Sequence, residues 1–526
     1  MPSMNFYLAL STASLLYACG LVIYRIFFHP LAKFPGSKLA AATKWYEFWF
    51  DVVKYPGGTF AHEIERMHRE YGPIVRINPA ELHVKDSDWL GTLYSGPSSG
   101  QRDKYAPAAH MTGTPDGIFG TVSHEVHRKR RAALGPFFSR AAVATSEEMI
   151  YAKVNTLSRL LKEKAATGGI LELRQTFLAL TTDTLSRHTF DRPSDLLSNE
   201  QAAAEWLRTV KSIAGLTPLV KQYTWIIPLA LKSPLAPLRA IVPDLARIVA
   251  LRLDLYQQAG MAIDDDSRAS TIASTDAEPK LPRASRNLFQ SLLGSKHLSP
   301  MEKERDRITQ EAFVVLVAGS ETTARILTNA MYHLLANPKT ALLRLKEELA
   351  TLLVNSESPL SVKELEHLPW LTAVVKESLR ITALVTSRMP LEAPDEVLKY
   401  GEWEIPAKTP VSMTLRDVLL DPLIFPGPMD FVPERWLAEN PDLHNISHHF
   451  VPFSRGTRMC LGQNFAMAEL YVFIAHLVRH FDFELFDTIR ERDVDAVRDC
   501  FISESSPHSP GVRVKVVKVD CMDTKQ

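Results

Sequence analysis

Cys460 lies in the stretch FSRGTRMCLG, Phe453 to Gly462, and is one of only four cysteines in 526 residues. Cys19, Cys460, Cys500 and Cys521 are far apart and show no CxxC or Cys/His ligand spacing, which argues against a disulfide framework and against a zinc module. Most lone cysteines are small buried hydrophobes. The neighbours of Cys460 point elsewhere. Gly456 and Gly462 permit backbone conformations closed to other residues and let a bulky group approach the main chain. Gly462 also precedes the apolar-periodic run QNFAMAELYVFIAHLVRH, so Cys460 stands just ahead of a helix start. Backbone donors at that start, with the positive charge of Arg458, favour thiolate over thiol, and thiolates ligate metals.

Three further segments carry chemistry. In VLVAGSETTAR, the small Ala318 and Gly319 lie mid-helix and predict a groove or kink, while Glu321 and Thr322 put a carboxyl beside a hydroxyl, the parts of a proton relay. In ESLR, Glu377 and Arg380 share a helix face at i, i+3. In HEVHRKRR, His127 and Arg131 stand in a basic run.

Together these motifs resemble the cytochrome P450 superfamily, in particular its membrane-anchored, class II, filamentous-fungal monooxygenases. The spacing F-x-x-G-x-R-x-C-x-G, filled by Phe453, Gly456, Arg458, Cys460 and Gly462, is similar to the family's haem-binding loop. The resemblance implies that Cys460 is the thiolate ligand of the iron of haem b, a ligand that favours O–O cleavage, that Phe453 packs on the ligand side and that Arg458 pairs with a haem propionate. It assigns His127, in place of the family's tryptophan, and Arg131 to a propionate as well. Ala318 and Gly319 would form the oxygen groove, with Thr322 and Glu321 delivering protons to bound oxygen. Glu377, Arg380 and the Arg435 of PERW would be a buried scaffold beneath the loop. One family position is missing. The arginine that holds the other propionate aligns with Leu391, so either Arg388 takes its place or that propionate is held more weakly.

Positioning these residues requires a mainly helical domain with small β-sheets. Helical periodicity runs through Ala141–Ala166, Ala202–Ile213, Leu238–Gln258, Arg305–Ala336, Pro338–Leu353, Val362–Leu379 and Gly462–His480. Strand patterns are short: IVRINPAELHV, VLKYGEWEIPAKTPVSM and GVRVKVVKV. Ala262 to Ser285 is polar and poor in aromatics and reads as a surface loop. Ahead of all this, Met4 to Tyr24 holds 21 residues without a charge, about 31 Å as a helix, enough for a bilayer core. Arg25, Lys33 and Lys38 follow it, so the positive-inside bias leaves the bulk of the chain in the cytosol. Residues 1–28 are therefore expected as a single-pass anchor and 29–526 as the catalytic domain.

Lysine plus arginine equals aspartate plus glutamate, 60 against 60, so the overall charge gives no reason to expect nucleic acid as a partner. The run Arg128 to Arg131, with Arg455, reads as a solvated basic face. By resemblance it would dock NADPH-cytochrome P450 reductase, at the endoplasmic reticulum membrane. The segments that line the family's pocket, 100–122, 206–220, 313–318, 383–389 and 502–508, are largely apolar here. They imply a hydrophobic small-molecule substrate, O2 as co-substrate, and oxidation of a fungal terpenoid, polyketide or alkaloid. The rivals are a haem-thiolate isomerase or dehydratase on the same fold, a haem-binding sensor or carrier without turnover, and a membrane-tethered structural protein without haem.

Overall fold

The computed structural model describes residues 4–96, 100–190, 192, 194–273, 287–351 and 360–519. The first helix, Met4–Ile23, buries none of its residues; with its continuation Tyr24–Phe28 it forms 25 residues of mean hydropathy 1.8, long and apolar enough to cross a membrane.

The helix Arg305–Ala336 runs through the middle of the domain, as its periodicity predicts, and most of its residues are buried. Leu173–Phe190 packs along it, and the Thr181 hydroxyl donates to the Ser320 carbonyl (2.8 Å). Sequence periodicity does not reveal this second helix because it is buried on nearly every side, leaving no polar stripe. Pro369–Thr382 and Gln463–His480 also pack against the central helix. Leu327, Leu371, Val374 and Phe473, all fully buried, belong to the shared core.

Three expectations are corrected. The polar run from Ala262 is not a loop at its start: the helix Pro243–Ala273 continues through it, and residues 274–285 lie outside the described set. Val362–Leu379 divides into Val362–Glu366 and Pro369–Thr382, because Pro369 disfavours helix at Leu368 and is itself well placed in a first turn. Arg140–Ala144 and Glu147–Thr167 likewise replace one helix.

A five-stranded sheet takes the order Ile74–Arg76, Leu82–Val84, Val411–Ser412, Leu391–Glu392, Asp103–Lys104. In its last pairing Lys104 lies directly opposite Leu391, antiparallel. A three-stranded sheet joins Ile170–Glu172, Arg513–Val519 and Phe481–Leu485. The hairpin Arg498–Cys500 with Ile502–Glu504 reaches back into the domain, where Ile502 bridges Val385.

Candidate haem-thiolate site

The loop that carries Cys460 is held by its own backbone and by a distant segment. The Cys460 N–H donates to the Phe453 carbonyl (2.9 Å), closing a turn in which Ser454 and Gly456 take φ of +62° and +71°. Gly456 is needed twice over: it occupies the left-handed region, and a Cβ there would fall 2.3 Å from the Ser95 carbonyl oxygen and 2.7 Å from that of Tyr94. Gly462 has an ordinary φ of −85° and caps the helix Gln463–His480. Phe453 is half-buried against the main core.

Cys460 keeps accessible surface, yet it is enclosed closely enough that burial pushes its thiol pKa up. Such a group faces an interior space rather than bulk water. The N–H groups of Gly462 and Gln463 and the Arg131 guanidinium pull the other way. Arg131, not Arg458, is therefore the charge acting on the sulfur, and its Nη1 donates to the Met459 carbonyl (2.7 Å). A thiolate here would need more positive charge than these groups provide, which a bound metal cation would supply.

Around the loop, among the described residues, basic side chains outnumber carboxylates. Arg458 donates through Nη1 and Nη2 to the carbonyls of Thr121 and Val122 (both 2.7 Å), so two of its nitrogens are committed to backbone, and its buried Nε has no partner among the described residues. His127 is buried; burial, then Arg458, Lys104 and Arg131, push its pKa down to about 2, so the ring is neutral. Lys104 is buried beside them. Asp103 acts on Arg458, but its Oδ1 accepts the His124 backbone N–H (2.7 Å). A ligand with a soft-metal centre and carboxylate arms fits this donor set: a sulfur facing open space, and an excess of cations next to it.

Arg388 does not supply the missing contact. Its Nε donates to Glu81 Oε2 and its Nη2 to both oxygens of Glu47 (2.9 Å each), a buried ion cluster extended by Lys221 to Glu47 (3.2 Å) and Asp51 (2.6 Å). Arg130 also departs from the expected basic face: it turns inward to Glu302 (2.7 and 2.8 Å) and the Thr121 hydroxyl (2.7 Å), leaving Arg128 and Lys129 exposed.

On the central helix, Ala318 is exposed in an otherwise buried stretch, and Thr322 is half-buried four residues on, the same face. Gly319 faces the neighbouring helix, where a Cβ would meet Leu185 at 2.6 Å. The Thr322 hydroxyl donates to the Ala318 carbonyl (2.8 Å). Glu321 points elsewhere: its Oε1 accepts from Arg174 Nε (2.9 Å) and Nη2 (2.6 Å), and its buried Oε2 has no hydrogen-bond partner among the described residues. Hydroxyl and carboxyl are thus adjacent in sequence but on different faces of the helix. Arg174 also pairs with Glu504 (2.7 Å); although burial opposes it, Arg174 and Arg325 hold Glu504 down at about 2. Burial pushes Glu321 up, with Arg174 and Arg325 opposing. Beside this network opens a polar cavity of about 240 Å³ lined by Arg174, Lys211, Arg325 and Glu504.

Beneath, Glu377 accepts from Arg380 Nε (2.9 Å) and Nη2 (2.7 Å), the Val432 N–H (3.0 Å) and Trp436 Nε1 (2.9 Å), with Arg435 Nε at 3.5 Å. Sequence reasoning missed Lys104, Arg174, Glu504 and Glu469. Glu469 had a signal: its period places it on the apolar face of Gln463–His480. It is fully buried, neither oxygen has a well-aligned hydrogen bond, and burial pushes its pKa well up despite the nearby Thr323 hydroxyl.

The family model of the cytochromes P450 matches residues 42–507. The chain belongs to the cytochrome P450 family. It is 40% identical over 498 residues to a tryptophan 6-hydroxylase of Fusarium equiseti, covering 94% of each chain. It is 36% identical over 507 residues to the conidiogenone synthase of Penicillium rubens, covering 96% of this chain and 97% of that one. A cytochrome P450 monooxygenase of Ascocoryne sarcoides is 36% identical over 502 residues, covering 95% and 96%. The P450 fold is seen directly in a crystal structure of a cytochrome P450, with TM-score 0.67 at 19% identity over 88% of this chain and 98% of the other. This P450 is an oxidoreductase of the monooxygenase type, and the family implies a haem-thiolate cofactor, which the donor set around Cys460 fits.

Proposed function

We propose that this P450 inserts one oxygen atom from O2 into a hydrophobic small molecule of fungal secondary metabolism. The overall balance is substrate, O2, two electrons and two protons in; oxygenated product and water out. Electrons would come from NADPH-cytochrome P450 reductase at the endoplasmic reticulum membrane, with residues 1–28 as anchor and 29–526 on the cytosolic side. The observation that carries the reading is Cys460: a lone cysteine with accessible surface inside the protein, in a turn enforced by Gly456 and edged by cations.

Haem b, held by Cys460 with its carboxylates toward His127, Arg131 and Arg458, would supply the iron at which O2 is activated. The protein's share is binding, orientation and protons. Phe453 and Gly462 shape the loop around the sulfur. Ala318 leaves room on the central helix, and the Thr322 hydroxyl, now on the Ala318 carbonyl, is a protein donor on the same face. Arg174 fixes Glu321 Oε1, while Oε2, without a hydrogen-bond partner among the described residues, is the atom that would carry a proton, and the polar cavity beyond Arg174 offers solvent to supply it. Since Glu321 and Thr322 share no hydrogen bond, the relay between them needs a bridging water.

An apolar substrate is supported by contacts among the segments that the resemblance assigns to the pocket: Phe119 packs edge-on to Phe501 (5.3 Å), Val385 bridges Ile502, and Gly117 sits against Val314. One relative is named for hydroxylating tryptophan and another for making conidiogenone, so the structural class of the substrate follows from no single one of them. Exposed Arg128 and Lys129 offer a docking charge to an acidic reductase surface.

The test is the absorption spectrum of the reduced, carbon-monoxide-bound protein. Wild type should show the thiolate-type band, and Cys460→Ala should lose it. A wild-type protein without that band overturns the reading. Turnover that persists without reductase and O2 would instead establish an isomerase or dehydratase, and a ligand-responsive spectrum without NADPH consumption would establish a sensor.

A further inference from the structure

The long helix Pro243–Ala273 packs against the central helix through an apolar stripe: Leu245, Ile248, Val249, Leu255 and Ala259 are all buried, at three- and four-residue spacing. Arg252 occupies the middle of that stripe. It is only 6% exposed, a guanidinium where the spacing calls for an aliphatic side chain.

Its surroundings leave the charge uncompensated. Arg252 Nη2 donates to the Gly113 carbonyl (3.1 Å), the guanidinium carbon lies 4.9 Å from the centre of the Phe313 ring, and the buried Nη1 has no hydrogen-bond partner among the described residues. The exposed Asp306 acts on it only from beyond ion-pair distance. Carboxylates closer along the facing segments are engaged elsewhere: Glu311 pairs with Arg307 (2.7 Å), and Asp116 accepts from Gln310 (3.2 Å). Burial pushes the Arg252 pKa down to about 10, so the group stays charged near neutral pH. A buried charge without a counter-ion is costly, and this one is set in the apolar face of a core helix.

Its position names the missing partner. Gly113 and Phe313 belong to the two segments, 100–122 and 313–318, that the resemblance assigns to the substrate space, and those segments meet: Gly117 sits against Val314, and the Asp116 N–H donates to Gln310 (2.8 Å). The guanidinium thus stands where the loop, the central helix and Pro243–Ala273 come together. Nη1 and Nη2 form a planar fork matched to the two oxygens of a carboxylate. With one prong unused and the other on a neutral carbonyl, a carboxylate arriving here gains a charge-assisted pair and supplies the counter-ion.

We propose that Arg252 binds a carboxylate of the substrate, so that this P450 selects an apolar small molecule bearing an acidic group over its neutral analogues. The proposal rests on the reading of residues 100–122 and 313–318 as the substrate space, and adds a specificity-determining residue to it.

The experiment measures binding to the full-length, detergent-solubilised holoprotein near neutral pH by isothermal titration calorimetry. The probes are octanoate, 3-phenylpropanoate and indole-3-propanoate, each beside its uncharged primary amide. Wild type should bind at least one acid about tenfold or more tighter than the matching amide, the factor for a hydrogen bond to a charged group. Arg252→Met should bring acid and amide to within about twofold of each other, and Arg252→Lys, which keeps the charge but not the fork, should narrow the preference without abolishing it. Without ligand, Arg252→Met should melt no lower than wild type, because the substitution removes an uncompensated buried charge. A wild type that binds no acid more tightly than its amide overturns the proposal, and so does a preference unchanged in either variant. A lower melting temperature in Arg252→Met, or its failure to fold, also overturns it, since the arginine would then serve to hold the loop at Gly113. The reduced carbon-monoxide spectrum of the same preparation is read separately: loss of the thiolate-type band in wild type would refute the reading of Cys460, while the calorimetric comparison answers for Arg252.

Discussion

Replacing Glu377 by alanine should unfold this P450 more readily than almost any other single truncation. Glu377 and Arg380 have no accessible surface. Without the carboxylate, Arg380 keeps its bonds to the carbonyls of Leu419, Pro428 and Asp430 (3.2, 2.8 and 3.1 Å) but becomes a buried, uncompensated charge. That costs about 3–5 kcal/mol. The Val432 N–H and Trp436 Nε1–H lose their acceptor at the same time, each worth about 1 kcal/mol or more when buried. A loss of about 5 kcal/mol is comparable with the whole stability of a typical domain, roughly 5–15 kcal/mol. Glu377→Gln keeps an acceptor for Trp436 and should lose about half as much. Removing both charges, in Glu377→Ala with Arg380→Met, should be less damaging than the sum of the single changes, because no lone charge remains. The assay is urea unfolding of the detergent-solubilised chain followed by tryptophan fluorescence, with haem content measured in the same samples. A Glu377→Ala midpoint within about 0.5 kcal/mol of wild type would refute the argument, since that is the scatter of inconsequential surface changes.

Three further outcomes are expected. Gly456→Ala forces a left-handed alanine, at about 1–2 kcal/mol, and drives its Cβ into the backbone of Tyr94 and Ser95, so the thiolate-type band should shrink along with thermal stability; an unchanged band would contradict the loop geometry. Glu321→Gln retains an acceptor for Arg174 but cannot supply a proton, so haem loading should persist while turnover falls tenfold or more, a range typical of lost acid catalysis; equal turnover would remove Glu321 from the relay. His68, hydrogen-bonded to His83 (2.7 Å), has its pKa pushed down by burial to about 4, so its contribution is complete above the unfolded value of 6.5 and is lost as pH falls toward 4. Unfolding midpoints taken between pH 7 and 5 should therefore fall less steeply in His68→Gln than in wild type, by up to about 1.4 kcal/mol per pH unit, and parallel slopes would show that His68 does not carry the effect.

Sequence alone determined the parts of this protein whose physics is local. The hydrogen bond that closes the turn at Cys460 spans fewer than ten positions, Glu377 and Arg380 meet because a helix brings i and i+3 together, and Arg305–Ala336 keeps its expected bounds because its periodicity is long and unbroken. Leu173–Phe190 was hidden because burial on nearly all sides erases the periodic signal, and strands of two or three residues such as Asp103–Lys104 acquire their identity only by pairing. The charge balance of the site was likewise beyond a linear reading. Arg388 looked available until Glu47 and Glu81 were seen to claim it, Arg130 looked solvated until Glu302 met it, and Glu321 is governed by Arg174 and Glu504, which approach from different elements. A charge in a folded protein is stabilised by whatever opposite charge the fold brings within a few ångströms and destabilised by the water it removes, and neither quantity is written near the residue in the chain. That is why the sequence could name the sulfur, while only the tertiary structure could bury Arg252 against Gly113 and Phe313.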